Sequence, residues 1–141
     1  KRPPERFWRV ATALAVTIAA ARQRWPERRL VIAFEPRSLT AARRSFHDAY
    51  LAALGGADLV LVAPPYHSDR LAADEVLDRS ALAEALAARG VASLMPERSD
   101  DPALALRPAI HRGDVVVGCS SGDFGGFHRK LVDLLQTGGS T

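Results

Sequence analysis

The sequence predicts an α/β fold of three layers, a mostly parallel sheet flanked by helices. Two observations predict it. Short, continuously apolar runs, residues 29–34 (RLVIAF) and 57–63 (ADLVLVA), alternate with stretches of helical periodicity. A run without polar alternation marks a strand covered on both faces. Glycine and proline steps at Trp25-Pro26, Gly55-Gly56 and Gly90 punctuate the alternation, where helices are expected to stop.

Residues 12–25 form an Ala-rich helical stretch that the Trp25-Pro26 step ends, and residues 29–34 form the first buried strand. After the EPRS segment, Thr40 is placed to cap a helix running to about Leu54, with Phe46, Tyr50 and Leu54 recurring every fourth residue. Residues 57–63 are the second strand, followed by an irregular stretch in which Pro64 and Pro65 block regular structure. Residues 79–89 are a helix closed by Gly90, residues 91–95 a third strand and residues 102–111 a further helix. The strand VVVGC, the turn SSGDFGG and a helix over residues 124–135 end the chain. With right-handed crossovers, this order gives a Rossmann-like domain, one domain over residues 1–141.

Hydrophobic residues at 48% and charged residues at 25% are the composition of a globular protein. The longest apolar run, residues 10–21, is too short to span a bilayer. No leader with a cleavage site precedes it and Cys119 is the single cysteine, so a cytoplasmic location and no membrane partner are expected. Because the chain starts at Lys1 without a methionine, it is expected to be a piece of a longer multidomain protein. The net charge of +3 is carried by arginines that alternate with acids, which argues against nucleic acid.

Two segments go beyond fold. FEPRSLTAARRSFHDAY (residues 34–50) resembles the EPRS-x-T segment of the murein peptide ligase branch of the Mur ligases, and GDVVVGCSSGDFGGFHRKL (residues 113–131) resembles that branch's Gly-rich segment before its last helix. ADLVLVAPP, Leu77-Asp78 before a helix and ALAARGV lie between them in the family's order. The resemblance, over residues 12–136, implies the C-terminal domain of an ATP-dependent amide ligase. Such a parent joins a UDP-N-acetylmuramate carboxylate to an amino acid or murein tripeptide in peptidoglycan synthesis or cell-wall recycling. It further implies that ATP and magnesium are bound mainly outside this domain, by the parent's central ATP-binding domain. The sequence departs from the family at Glu5–Ala11, where two histidines and a proline are absent, at Leu39, and at Ser121-Gly122-Asp123. These departures keep a second possibility in view, a non-catalytic Mur-like binding or scaffold module. If the leading segment has lost its role, residues 1–9 are expected to be mobile or packed away from the cleft. If it has not, Glu5 or Arg9 should lie near Arg37.

No G-x-x-x-x-G-K-[ST] loop occurs, nor a G-x-G-x-x-G after the first strand, so the chain is not expected to run phosphoryl transfer or bind nucleotide alone. No residue is assigned a catalytic role. Arg37 leads the binding candidates, because its planar fork sits just past the carboxyl end of the first strand, where ligands bind in open α/β sheets. Glu35 is a candidate for substrate contact or for ordering the loop as the ion-pair partner of Arg37. Ser38 and Thr40 are candidates for substrate contact or capping, and Arg43 and Arg44 for contact with an anionic substrate or a solvated helix face. Gly122, Gly125 and Gly126 could let backbone N–H groups approach an anion at the last helix's start. Asp123 is a candidate for substrate contact or for capping that helix, and His128, one turn into it, for substrate contact or a packed or capping role. His47, His67 and His111 lack partners at metal-ligand spacing, so no metal site is assigned. Cys119, inside a strand expected to be buried, is read as core.

Overall fold

The computed structural model describes residues 5–65 and 68–137, with side chains described from Val10 onward and that of Ser68 left aside. Among the described residues five helices, α1 (Glu5–Arg24), α2 (His47–Leu54), α3 (Arg79–Ala88), α4 (Pro102–Leu106) and α5 (Phe127–Thr137), flank four strands. The strands β1 (Leu30–Phe34), β2 (Leu59–Val62), β3 (Ala92–Leu94) and β4 (Val115–Cys119) form one sheet in the order β3-β2-β1-β4. Every pairing is parallel: Val31 faces Leu59, Leu30 faces Val115, and Leu59 faces Ala92. This is the three-layer α/β arrangement expected.

The pleat explains the layers. In β1, Leu30, Ile32 and Phe34 join the core beneath α1, α2 and α3, while Val31 and Ala33 join the core beneath α4 and α5. In β2, Val60 and Val62 take the first side and Leu59 and Leu61 the second. Both central strands are fully buried, as runs apolar at every position require. Helix α1 contributes Ala11, Leu14, Ile18 and Ala21, one face at helical spacing. It starts at Glu5, well ahead of the expected residue 12. The expectations for Glu5 and Arg9 concern side chains outside the described residues.

Several boundaries differ from expectation for physical reasons. The second helix starts at His47, and Thr40 caps nothing: Arg43 is extended and pairs with Val76, Arg44 N–H donates to the Glu75 carbonyl (2.7 Å), and Leu77 N–H donates to the Ala42 carbonyl (2.8 Å). These long-range backbone bonds unwind what local propensity would make helical. A single 3₁₀ turn, Arg44–Phe46, leads into α2. The helix expected over residues 102–111 stops at Leu106 and tightens into the 3₁₀ turn Arg107–Ala109 around Pro108, which lacks an N–H. Strand β4 is an edge strand with half-buried residues, so Cys119 packs against the core from its border. Gly90 closes α3 with φ of +80° as expected, and Asp78 caps its start, Oδ1 accepting from Ala81 N–H at 3.0 Å. Among the described residues no helix is long and apolar enough to cross a membrane.

Candidate functional site

The strand order decides where a ligand can enter. From β1 the chain moves to β2 and β3 on one side, then returns through α4 to place β4 on the other side of β1. The connections leaving β1 and β4 therefore diverge, and a crevice opens above their carboxyl ends. A cleft of about 330 Å³ lies there, at the small end of the range for ligand pockets. Its inner wall is apolar, with Val10, Ala13 and Leu14 of α1 facing Phe34 and Ala41. Its mouth is polar and carries Glu35, Arg37, Ser38, Ser120 and Ser121.

The residues after β1 are held from both ends. Glu35 N–H donates to the Cys119 carbonyl (2.9 Å), extending the β1–β4 ladder by one bond. Downstream, the fully buried Tyr50 donates its hydroxyl to the Ala41 carbonyl at 2.7 Å. Its ring packs edge-on to Phe34 and stacks with Phe46. Burial pushes the Tyr50 hydroxyl well above the ordinary phenol range, so it stays a donor. Ser38 Oγ accepts from Ala41 N–H (2.9 Å), so of the two residues offered for capping, Ser38 and Thr40, Ser38 makes the local side-chain bond.

Glu35, Arg37 and the turn after β4 converge. Arg37 Nη1 lies 3.9 Å from Glu35 Oε1, with one side chain about one-third exposed and the other nearly buried. Ser120 Oγ donates to the same Glu35 oxygen at 2.6 Å and accepts from Gly122 N–H at 3.1 Å. Arg37 also runs directly over Gly122: a Cβ built there would fall 2.4 Å from Arg37 Cδ and Nε. The carboxyl edge thus places a partly exposed guanidinium beside a carboxylate and a hydroxyl, a group suited to an anionic ligand.

Other candidates go elsewhere. Arg43 pairs with Glu75 at 3.9 Å, and Arg44 donates to the Val76 and Ala73 carbonyls, so both tie down residues 73–76. Gly125 and Gly126 take left-handed φ of +58° and +74°, the reason glycine is needed at both. Gly125 opens onto a second hollow, about 260 Å³, rimmed by Asp100, Asp101 and Lys130, and Lys130 pairs with Asp101 at 3.3 Å. Asp123 caps no helix with its side chain. The His128 ring rests against the β4 backbone at Gly118, within 2.6 Å of where a Cβ would stand, and edge-on to Phe127. Cys119 lines the cleft, and burial pushes its thiol up to about 11, so the unreactive protonated form dominates at neutral pH. Ser120 was missed as a candidate, since its link to Glu35 joins residues 85 positions apart. Among the described residues no group of three or more His, Cys, Asp or Glu is placed to hold a metal ion.

No protein-family model matches the chain. The UDP-N-acetylmuramate–L-alanine ligase of Cupriavidus taiwanensis is 38% identical over 124 residues, 87% of this chain and 26% of the relative. The enzyme of that name from Acidovorax sp. strain JS42 is 37% identical over the same shares. The chain therefore spans about a quarter of the length of the curated relatives it matches. Among solved structures, a murein peptide ligase from Psychrobacter arcticus matches with a TM-score of 0.67 and 24% identity, over 93% of this chain and 26% of that one. A domain assigned to a UDP-N-acetylmuramate:L-alanyl-γ-D-glutamyl-meso-diaminopimelate ligase from Haemophilus ducreyi matches with a TM-score of 0.62 and 24% identity, over 89% and 83%. The structural likenesses establish the fold; the sequence likeness establishes relationship. The chain is a homologue of the Mur ligases, matching in sequence about a quarter of their length and in fold their C-terminal domain.

Proposed function

We propose that this chain is the C-terminal, substrate-closing domain of an ATP-dependent ligase that joins a UDP-N-acetylmuramate carboxylate to an amino acid or peptide amine. The observation that carries this reading is Arg37, held over Gly122 and beside Glu35 at the mouth of the switch-point cleft. A partly exposed guanidinium there offers two parallel N–H bonds to a carboxylate or phosphate. In an acyl-phosphate reaction, such a group binds and orients the anionic substrate and offsets charge that builds on the phosphoryl oxygens. The apolar wall from α1 excludes water from one side of that contact.

ATP and magnesium belong, in this reading, to the rest of the parent protein. The chain has no phosphate-binding loop, and the cleft's carboxylate, Glu35, is already engaged by Ser120 and Arg37. The cleft therefore does not fit a magnesium–nucleotide site. The altered leading segment, residues 5–11, favours a second reading in which the domain binds ligand or partner without catalysis.

The test is to express the complete reading frame containing this chain beside the chain itself. The chain alone should form neither ADP nor amide from ATP, UDP-N-acetylmuramate and L-alanine or the murein tripeptide. The complete protein should form both. A complete protein without ligase activity toward either acceptor would support the scaffold reading, and ADP production by the chain alone would overturn the division of labour proposed.

A further inference from the structure

Arginine serves an anion well only when its long, flexible side chain is already held in the binding orientation. Here the restraint comes from the turn after β4, a segment 85 residues away in sequence from the loop that carries Arg37. Gly122 lies beneath the side chain, so close that a Cβ would come within 2.4 Å of Cδ and Nε and 2.9 Å of Cζ. Its φ is outside the left-handed region that would itself demand glycine. The absence of a side chain at 122 is thus explained by Arg37 and not by backbone conformation. Ser120 performs two tasks with one hydroxyl. It donates to Glu35 Oε1, which aims that carboxylate at Arg37, and accepts from Gly122 N–H, which fixes the turn under the guanidinium.

We infer that Ser120 and Gly122 are positioning residues that hold Arg37 in its anion-binding orientation. This inference rests on the reading of Arg37 as an anion-binding group. A merely structural turn would make the same residues matter for stability alone. Positioning makes them matter for the environment of the Arg37 guanidinium. The far end of an arginine swings aside easily, so Gly122→Ala should displace Arg37 and leave the fold intact.

The 15N-labelled chain allows a direct test through the Arg37 Nε–H resonance, identified by its loss in Arg37→Lys, with inorganic phosphate as probe. The resonance should move in Gly122→Ala and in Ser120→Ala, while Ser120→Thr, which keeps the hydroxyl, should restore it. Melting temperatures of the variants should stay near that of the parent chain. Phosphate should shift the wild-type resonance saturably, and Gly122→Ala should weaken that binding about tenfold, as expected when a bidentate charge-assisted contact is lost. An unmoved resonance in both Gly122→Ala and Ser120→Ala would overturn the inference, as would a Ser120→Thr variant indistinguishable from Ser120→Ala. Should Gly122→Ala fail to fold, the Ser120 pair decides. A wild-type chain that shows no saturable response would count against Arg37 as an anion site, whereas the resonance positions would still judge the restraint.

Discussion

At the amino edge of the sheet, Arg22 reaches the Arg28 and Gly56 carbonyls and the Asp58 carboxylate, all within 3.1 Å. Arg29 there reaches the Ala109 carbonyl, His111 Nδ1 and Asp114. At the carboxyl edge Arg37 meets Glu35 at 3.9 Å, over a glycine, at the mouth of a cleft. Arginine staples loops at both edges, since Arg79 holds the Val62 and Pro96 carbonyls at the carboxyl ends of β2 and β3, but Arg37 alone among these stands at the mouth of the cleft. Fixed acceptors at short distance make an arginine a staple for loops. A longer pairing at a divergent strand pair leaves its orientation sensitive to the neighbouring turn, which is what a ligand site requires.

The sharpest way to break this comparison is to remove the staple. The Asp114 side chain is almost fully buried, 3% exposed, and pairs with Arg29 at 2.8 Å. Arg29→Met leaves that carboxylate only the His111 N–H as a partner and should destabilise the chain by about 2–3 kcal/mol. Chemical denaturation checks this, and a loss no larger than that of a surface ion pair would show that the amino edge is not structurally special. Arg37→Ala should change the same measurement by less than about 1 kcal/mol, because a partly exposed pair contributes little.

Asp58 sharpens the comparison through pH. Burial alone would raise its pKa, but bonds from the Leu30 N–H and from Arg22, with the nearby charge of Arg29, outweigh it and leave the carboxyl below the ordinary value. A depressed folded pKa gives stability that is complete above the unfolded value, about 3.9, and lost as pH falls through the folded one. Because the carboxylate is nearly half exposed and screened by solvent, Asp58→Asn should cost less than about 1 kcal/mol at neutral pH, and the gap in melting temperature should close as pH falls below about 4. A constant gap down to acid pH would remove the charge from the explanation.

What sequence could reveal follows the range of the forces involved. The central strands were legible because burial on both faces leaves unbroken apolar runs, and Gly90 because a helix end needs a left-handed residue. Arg37 was legible as a site candidate because it follows the first strand. The start of α2 was not, since the pairing of residues 42–44 with 75–77 is set by tertiary contact. Nor was Ser120, because only the placement of β4 beside β1 brings it to Glu35. Arg43 and Arg44 were candidates from charge and position, and their bonds to residues 73–76, between β2 and α3, could not be read from either.

The contrast between the two edges comes down to one quantity: the catalytic efficiency of a complete ligase carrying Arg37→Ala, measured against its melting temperature. Efficiency should fall by the equivalent of about 1.5–3 kcal/mol, the worth of a charge-assisted bond to substrate, while the melting temperature hardly moves. Unchanged efficiency toward both L-alanine and the murein tripeptide, or a loss that simply tracks unfolding, would remove Arg37 from the site and contradict the functional assignment of the carboxyl edge.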